Sequence, residues 1–153
     1  MAIVKNATAS IDMIRVLLKY ASEKGVNPNE VCRAAGLDPA IFDSREDPAG
    51  KRISIGQFNA AWNETASRAN DTDFGLHLGE KMLDYHTGHI LFTVMMNSPD
   101  VGRAIDKFLR YHCLMADIIQ PRIEKTGHDV ILFWETVVPG VTLHRHHAEA
   151  ILG

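Results

Sequence analysis

Residues 118–138 read IIQPRIEKTGHDVILFWETVV, and here the spacing of apolar residues changes from helical to strand-like. Two strand-like runs, at 119–124 and 130–138, flank a turn at 125–129 that contains Gly127. This arrangement predicts an antiparallel β-hairpin. Because an isolated pair of strands is only marginally stable in water, we expect the hairpin to join a larger sheet or to pack against helices.

The chain before this hairpin carries a helical pattern, in which apolar residues recur every three or four positions. Residues suited to begin a helix stand at Ser10, Asn27, Ser54 and Ser98. A last helix is predicted after Gly140. The sequence therefore predicts an α+β fold, with a mainly helical N-terminal two-thirds followed by a β-hairpin or small antiparallel sheet and a final helix.

The composition is that of one ordinary globular domain, with 153 residues of which 46% are hydrophobic and 23% charged. We expect a flexible N-terminus at residues 1–8 and a single domain at residues 9–153. The hairpin is open, and the last helix has no basic residue in its final turn to interact with the helix dipole. We therefore expect this domain to be cut at its C-terminal end.

The sequence lacks the signals of a secreted or membrane protein. Its N-terminus has no apolar signal core, and no run approaches the roughly 18 apolar residues of a membrane-spanning helix. Two cysteines, Cys32 and Cys113, are too few for a disulfide framework, and we expect Cys113 to be a small core residue. These features predict a cytoplasmic protein without membrane contacts.

Residues arranged for catalysis are not found in the sequence. It contains neither the GxSxG nucleophile motif nor a glycine-rich phosphate loop, and its acidic residues are scattered through caps and turns. His112 and Cys113 are adjacent, and on a helix their side chains would point about 100° apart, so they cannot act as base and nucleophile. We predict no catalytic residues and a protein that is not an enzyme.

The sequence gives equally little support for the binding of metal ions, cofactors or DNA. His144 and His147 would share one face of the last helix, but no further ligands follow at a recognisable spacing and HExxH is absent. The net charge of -3 gives no electrostatic reason for the chain to bind DNA. Residues 30–42 outline a helix-turn-helix, but its second helix is short and acidic, so we interpret it as a structural helical hairpin.

Several segments, in this order and spacing, resemble the N-terminal ligand-binding domain of AraC-type transcription regulators, in the subfamily that begins with helices and not with a cupin barrel. The resemblance spans about residues 9–153 and is carried by residues 34–39, 73–80, 88–91, 97–105, 110–112 and 146–150.

The resemblance implies that residues 9–153 sense a small organic effector and support homodimerisation. Promoter DNA would be bound only through a C-terminal helix-turn-helix part that this chain lacks. We expect the ligand to enter between the helix of Trp62 and the helix of residues 108–112, with the hairpin closing one side. The residues that we expect to contact it are Trp62, His89, Phe108, Tyr111, His112 and Trp134. The association of the family with sugars is not transferred to this chain.

Two other functions stay open at this point. The first is a helical dimerisation or interaction module that binds no ligand. The second is a haem or metal sensor that uses His112, suggested by a fainter resemblance to the haem nitric oxide and oxygen-binding fold. That fold's Tyr-x-Ser-x-Arg motif for the haem propionates is missing from the sequence, which argues against haem.

Overall fold

A computed structural model describes residues 7–43, 51–82, 84–85 and 89–152. In chain order, its elements are β1 (Thr8–Ser10), α1 (Ile11–Glu23), α2 (Pro28–Ala34), α3 (Ala40–Asp43), β2 (Arg52–Ser54), α4 (Ile55–Ala69), α5 (Phe74–Lys81), α6 (Ile90–Met96), α7 (Val101–Tyr111), β3 (Ile119–Thr126), β4 (Asp129–Thr136) and α8 (Arg145–Leu152). The predicted α+β fold is confirmed. None of the helices in these ranges is long and apolar enough to span a membrane.

Helices α1 and α4 form the centre of the core. Each begins at a serine that was predicted as a cap: the Ser10 hydroxyl accepts a hydrogen bond from the Asp12 N–H, and Ser54 and Gln57 form a capping box. Leu17 of α1 and Phe58 of α4 are fully buried, as are most apolar residues on the facing sides of the two helices. The N-terminal half of the chain therefore supplies a rigid base for the later elements.

A short antiparallel sheet joins β1 to β2, with Thr8 opposite Ser54, and the sequence did not predict it. Arg52 holds this sheet to the second half of the chain. Its guanidinium donates hydrogen bonds to Thr8 Oγ1 at 2.6 Å, the Leu114 carbonyl at 3.0 Å and Asp117 Oδ1 at 2.9 Å. Of the N-terminus expected to be flexible, residues 1–6 lie outside the described residues, whereas Ala7 is buried and Thr8 belongs to β1.

The predicted hairpin is confirmed as β3 and β4, which pair from Ile119 opposite Thr136 to Thr126 opposite Asp129. Gly127 lies in the turn with φ +62°, a backbone conformation that other residues rarely adopt. Within the described residues, β3 and β4 form a two-stranded sheet and not part of a larger one. The hairpin packs instead on α7.

Helix α7 is shorter than its apolar pattern predicted, because the chain tightens into a 3₁₀ turn at His112–Leu114. No residue of α7 is fully buried; Phe108 and Leu109 are half-buried. The expectation that Cys113 belongs to the core was wrong, since Cys113 is the middle residue of this turn and is exposed. The early end of α7 turns the following residues, from His112 to Ala116, back towards α1 and β1.

The last helix, α8, packs closely against α5 at a glycine. A Cβ atom added to Gly75 would lie 2.6 Å from His146 Cα and 2.8 Å from Glu149 Cβ, and nearer still to the His146 carbonyl oxygen. Only a residue without a side chain allows this approach. The contact fixes α8 so that His147 and Ala150 point into the interior, where both are buried.

Candidate functional site

A cavity with two adjoining lobes lies where α1, α6, α8, the 3₁₀ turn and the hairpin meet. The larger lobe has a volume of about 170 Å³ and the smaller one about 20 Å³. The lobes share five lining residues, which are Met13, Met82, Phe92, Met115 and His147. Most of the shared lining is therefore apolar and, because three of the five are methionines, adaptable in shape.

Each lobe also has residues of its own. The larger lobe is completed by His112, Ala116, Ile119, Trp134, Ala150 and Ile151. The smaller lobe is completed by Asp12, Val16, Trp62, Leu78 and His89. Elements from both halves of the chain thus close the cavity, and residues 118–138 contribute one wall.

Three side chains of this lining carry buried hydrogen-bonding atoms without a partner among the described residues. They are Trp62 Nε1, Trp134 Nε1 and both ring nitrogens of His147. Buried polar atoms in folded proteins are nearly always hydrogen-bonded, and leaving one unsatisfied costs about 1–3 kcal/mol. Each of these four nitrogens has almost no accessible surface, so none of them faces the open space of the cavity, whose lining is mainly apolar.

His147 is the most deeply buried of these polar residues, with 1% of its surface exposed. Its ring centroid lies 5.0 Å from that of Phe58 and 5.3 Å from that of Trp62. Burial, with a smaller effect of the neighbouring His144, lowers the pKa of His147 to about 4. The imidazole is therefore neutral near pH 7, with one nitrogen as a donor and the other as an acceptor.

Four of the six residues expected to contact a ligand line this cavity. Trp62 and His89 line the smaller lobe, and His112 and Trp134 line the larger one. Phe108 stacks on Trp134, with ring centroids 5.3 Å apart, and supports it from behind. These five side chains thus lie around one region of the molecule, although on different elements.

Tyr111 lies elsewhere. Its side chain is 42% exposed and borders an outer groove between α6 and α7, with Ile90 and Leu114. Neighbouring positions on a helix point about 100° apart, so Tyr111 and His112 face different directions. The structure therefore separates Tyr111 from the cavity.

His89 has a structural function in addition to its place in the lining. Its Nδ1 accepts a hydrogen bond from the Leu91 N–H at 3.2 Å, which caps α6. Its Nε2 lies 3.2 Å from the Leu114 carbonyl oxygen, to which it can donate. With both nitrogens engaged, His89 offers the cavity mainly the surface of its ring.

The methionines, Phe92 and His147 were not among the residues predicted to contact a ligand. Met13 lies beside the buried stripe of α1, and nothing in its local pattern indicates a cavity. The sequence pattern predicted His147 on one side of the last helix with Leu143 and Ile151, and beside His144 as a candidate metal ligand. This pattern is compatible with burial, but its partners Phe58 and Trp62 are distant in sequence and could not be predicted from it.

Metal ligation finds little support in these surroundings. No group of three or more His, Cys, Asp or Glu side chains in the described part of the chain could hold a metal ion. His112 Nδ1 lies 2.9 Å from the Leu109 carbonyl oxygen, which ties the ring to its own helix. The described lining of the cavity is mainly apolar.

Comparison with known proteins identifies one family. The sequence model of one protein family, described as the arabinose-binding domain of AraC transcription regulator, N-term, matches residues 25–153. No curated protein sequence matches the chain. The matched family is one of regulatory ligand-binding domains and not of enzymes. Because the match covers most of the sequence, the chain belongs to the family of N-terminal arabinose-binding domains of AraC transcription regulators.

Proposed function

We propose that residues 9–153 form a cytoplasmic effector-sensing domain, which binds a small organic molecule in the two-lobed cavity. The observation that carries this proposal is the cavity itself, about 170 Å³ and 20 Å³ in its two lobes, with a mainly apolar lining that includes three methionines. The apolar part of such a molecule would cover the methionine side chains, which adapt in shape.

The name of the family suggests arabinose as a ligand, but the lining argues against a sugar. A pentose has polar groups at nearly every carbon, and each needs a partner when it leaves water. Met13, Met82, Met115, Phe92 and Ile119 cannot provide hydrogen bonds of that kind. We therefore assign the cavity to an organic molecule with a large apolar portion.

The ligand would act through α8. This helix contributes His147 and Ala150 to the cavity and is fixed on α5 at Gly75, so a ligand that moves His147 also biases the position of α8. In a full-length regulator of this family, we propose that α8 passes this bias to a C-terminal helix-turn-helix part that contacts promoter DNA. The ligand needs only a different affinity for two arrangements of that part.

Homodimerisation is a second candidate function, and the outer surface of the hairpin favours it. Val130 and Leu132 of β4 lie on one face of the hairpin and are 59% and 51% exposed, so this face presents neighbouring large apolar side chains to solvent. A dimer should dissociate when Leu132 is replaced by lysine, as measured by light scattering across a concentration series. A protein that is monomeric at every concentration would exclude this function for the isolated domain.

A screen for stabilising compounds tests the effector function. We expect some members of a library of organic acids, alcohols, amino acids, lipids and sugars to raise the melting temperature. A ligand at 100 times its Kd stabilises the folded state by about 2.7 kcal/mol. If none of the compounds stabilises the protein, the proposed function is wrong.

Tryptophan fluorescence shows whether a stabilising compound binds in the cavity. The chain has two tryptophans, and both line the cavity, so a ligand there should change the emission. Ala150→Met fills the larger lobe and should abolish this change. Ala34→Met, at an exposed position of α2, is the matched control and should leave binding intact.

A further inference from the structure

We infer that the effector of this cavity is a neutral, hydrocarbon-like molecule of about one ring, which is held by the burial of apolar surface and not by hydrogen bonds. The inference rests on the proposed function, because it names the class of ligand for the same cavity. Its support comes from the polar groups of the lining, from the charges of the lining and from the volume of the larger lobe.

The polar side chains of the lining make their hydrogen bonds within the protein or are turned away from the open space. Both ring nitrogens of His89 are engaged by backbone groups at 3.2 Å, and His112 Nδ1 lies 2.9 Å from a carbonyl oxygen of α7. The ring nitrogens of His147 and the indole nitrogens of Trp62 and Trp134 have almost no accessible surface. A polar ligand would therefore give up its hydrogen bonds to water and find few partners in return.

The charges of the lining argue against an ionised ligand. None of the described residues that line either lobe is lysine or arginine, and a carboxylate buried without a cationic partner costs far more than a neutral group. Asp12 borders only the smaller lobe, in the first turn of α1, where the helix dipole stabilises its negative charge. At about 20 Å³, that lobe holds little more than one water molecule and has no space for an organic amine.

The volume limits the size of the ligand. At about 170 Å³, the larger lobe is close to the roughly 150 Å³ engineered apolar cavity that accommodates benzene. It is smaller than the roughly 300–1,000 Å³ pockets of drug-sized ligands. One six-membered ring with one or two further carbon atoms fills this space.

The methionines of the lining suit such a ring. Met13, Met82 and Met115 border both lobes, and an unbranched thioether fills irregular gaps and makes favourable contacts with the edge of an aromatic ring. Phe92 and Trp134 add aromatic surface to the larger lobe. The lining therefore selects its ligand by size and by the absence of polar groups.

Toluene and phenol test the inference, because they have nearly the same shape and differ in one methyl or hydroxyl group. Toluene should bind at least tenfold more tightly than phenol, since a hydroxyl group that leaves water without a new partner loses its hydrogen bonds. Benzene should bind about fourfold more weakly than toluene, which is the effect of one buried carbon. Benzoate, octanoate and arabinose should bind more weakly than phenol. Calorimetry at pH 7.5 and constant ionic strength measures each affinity.

Methionine methyl signals in NMR spectra show where toluene binds. The methyl signals of Met13, Met82 and Met115 should shift, because all three side chains line the cavity. Met96 is 80% exposed and lines neither lobe, so its signal is the internal control and should stay in place. Toluene that binds without shifting the three cavity signals would overturn the inference.

Two variants at Ile119, which lines the larger lobe, change its polarity at constant shape. Ile119→Val and Ile119→Thr have side chains of the same shape, but threonine carries a hydroxyl group. The tenfold preference for toluene over phenol should persist in Ile119→Val and become smaller in Ile119→Thr, where the lining can pair with the phenol hydroxyl. An equal preference in the two variants would overturn the assignment of the ligand to this lobe.

The outcomes separate this inference from the proposed function. Phenol that binds as tightly as toluene would show that a hydrogen bond holds the ligand, and octanoate that does so would show an alkyl tail with its head group in solvent. Either result overturns the ligand class and leaves the cavity a ligand site. Alcohols that bind tenfold more weakly still bind, so the wider screen detects the cavity even when the inference is right. If toluene fails but the wider screen yields a ligand in the cavity, only the inference is wrong; if the wider screen also fails, both are wrong.

Discussion

The contact between α5 and α8 at Gly75 leads to a quantitative prediction for the substitution Gly75→Ala. The new Cβ atom would lie 2.6 Å from His146 Cα and 2.8 Å from Glu149 Cβ, whereas ordinary contacts of a Cβ atom begin at about 3.4 Å. The nearest atoms belong to the backbone of α8, so no side-chain rotation can relieve the overlap. The two helices must therefore move apart by about 1 Å.

Two effects of opposite sign determine how much Gly75→Ala changes the free energy of unfolding. Alanine has a higher helix propensity than glycine, which favours the variant by up to about 1 kcal/mol. Overpacking in a core costs about 1–3 kcal/mol, and the upper end applies here because backbone atoms are involved. We expect a net loss of about 2 kcal/mol in the free energy of unfolding and, for a domain of this size, a melting temperature lower by about 4–8 °C.

Gly56→Ala is the matched control. Gly56 is the second residue of α4, just as Gly75 is the second residue of α5, but a Cβ atom there would meet only Ser54 Oγ at 3.9 Å. This variant should be stabilised by about 0.4–1 kcal/mol. Urea titrations of both variants measure the difference. A Gly75→Ala protein as stable as the Gly56→Ala protein would show that α8 does not pack on α5 as described.

Two further predictions concern stability. The pKa of His147 is about 4 in the folded state and close to 6.5 when the chain is unfolded, so the unfolded state binds more protons between these values. Through His147, the free energy of unfolding should fall by about 2 kcal/mol from pH 7.5 to pH 5, as measured by urea titrations. His147→Phe should remove this contribution. The same dependence of stability on pH in both proteins would contradict the prediction. Arg52→Ala should cost about 1–2 kcal/mol through its lost hydrogen bonds to Thr8, the Leu114 carbonyl and Asp117. Arg52→Lys should recover only part of this loss, because an ammonium group cannot reach three acceptors arranged around a planar guanidinium. Full recovery would argue against the hydrogen bonds described for Arg52.

Elements with strong local patterns could be predicted from the sequence. The capping residues Ser10 and Ser54 begin α1 and α4 as expected, and residues 118–138 form the hairpin. Strands β1 and β2 escaped prediction because each has three residues, too few to show alternation, and their partners are more than 40 positions apart.

The residues that line the cavity could be predicted only in part, for a related reason. Large aromatic residues such as Trp62 and Trp134 could be selected as candidates by type and position, and both line it. The methionines and His147 could not, because their place depends on how α1, α8 and the 3₁₀ turn meet. Tyr111 was misplaced relative to His112 because α7 turns about 100° per residue, which adjacency in sequence does not show.

The shallow packing of α7 has a consequence for the rates of binding. None of its residues is fully buried, and its neighbour α6 buries Leu91 but has an exposed Ile90 and Met96. Elements with few buried contacts open at a lower free energy than the rest of a domain, so amide hydrogens of α6 and α7 should exchange faster than those of α1 and α4. Because Phe92 of α6 lines the cavity, such an opening would uncover the site. The residence time of a ligand would then be set by how often these two helices open, and chemically different ligands would leave at similar rates.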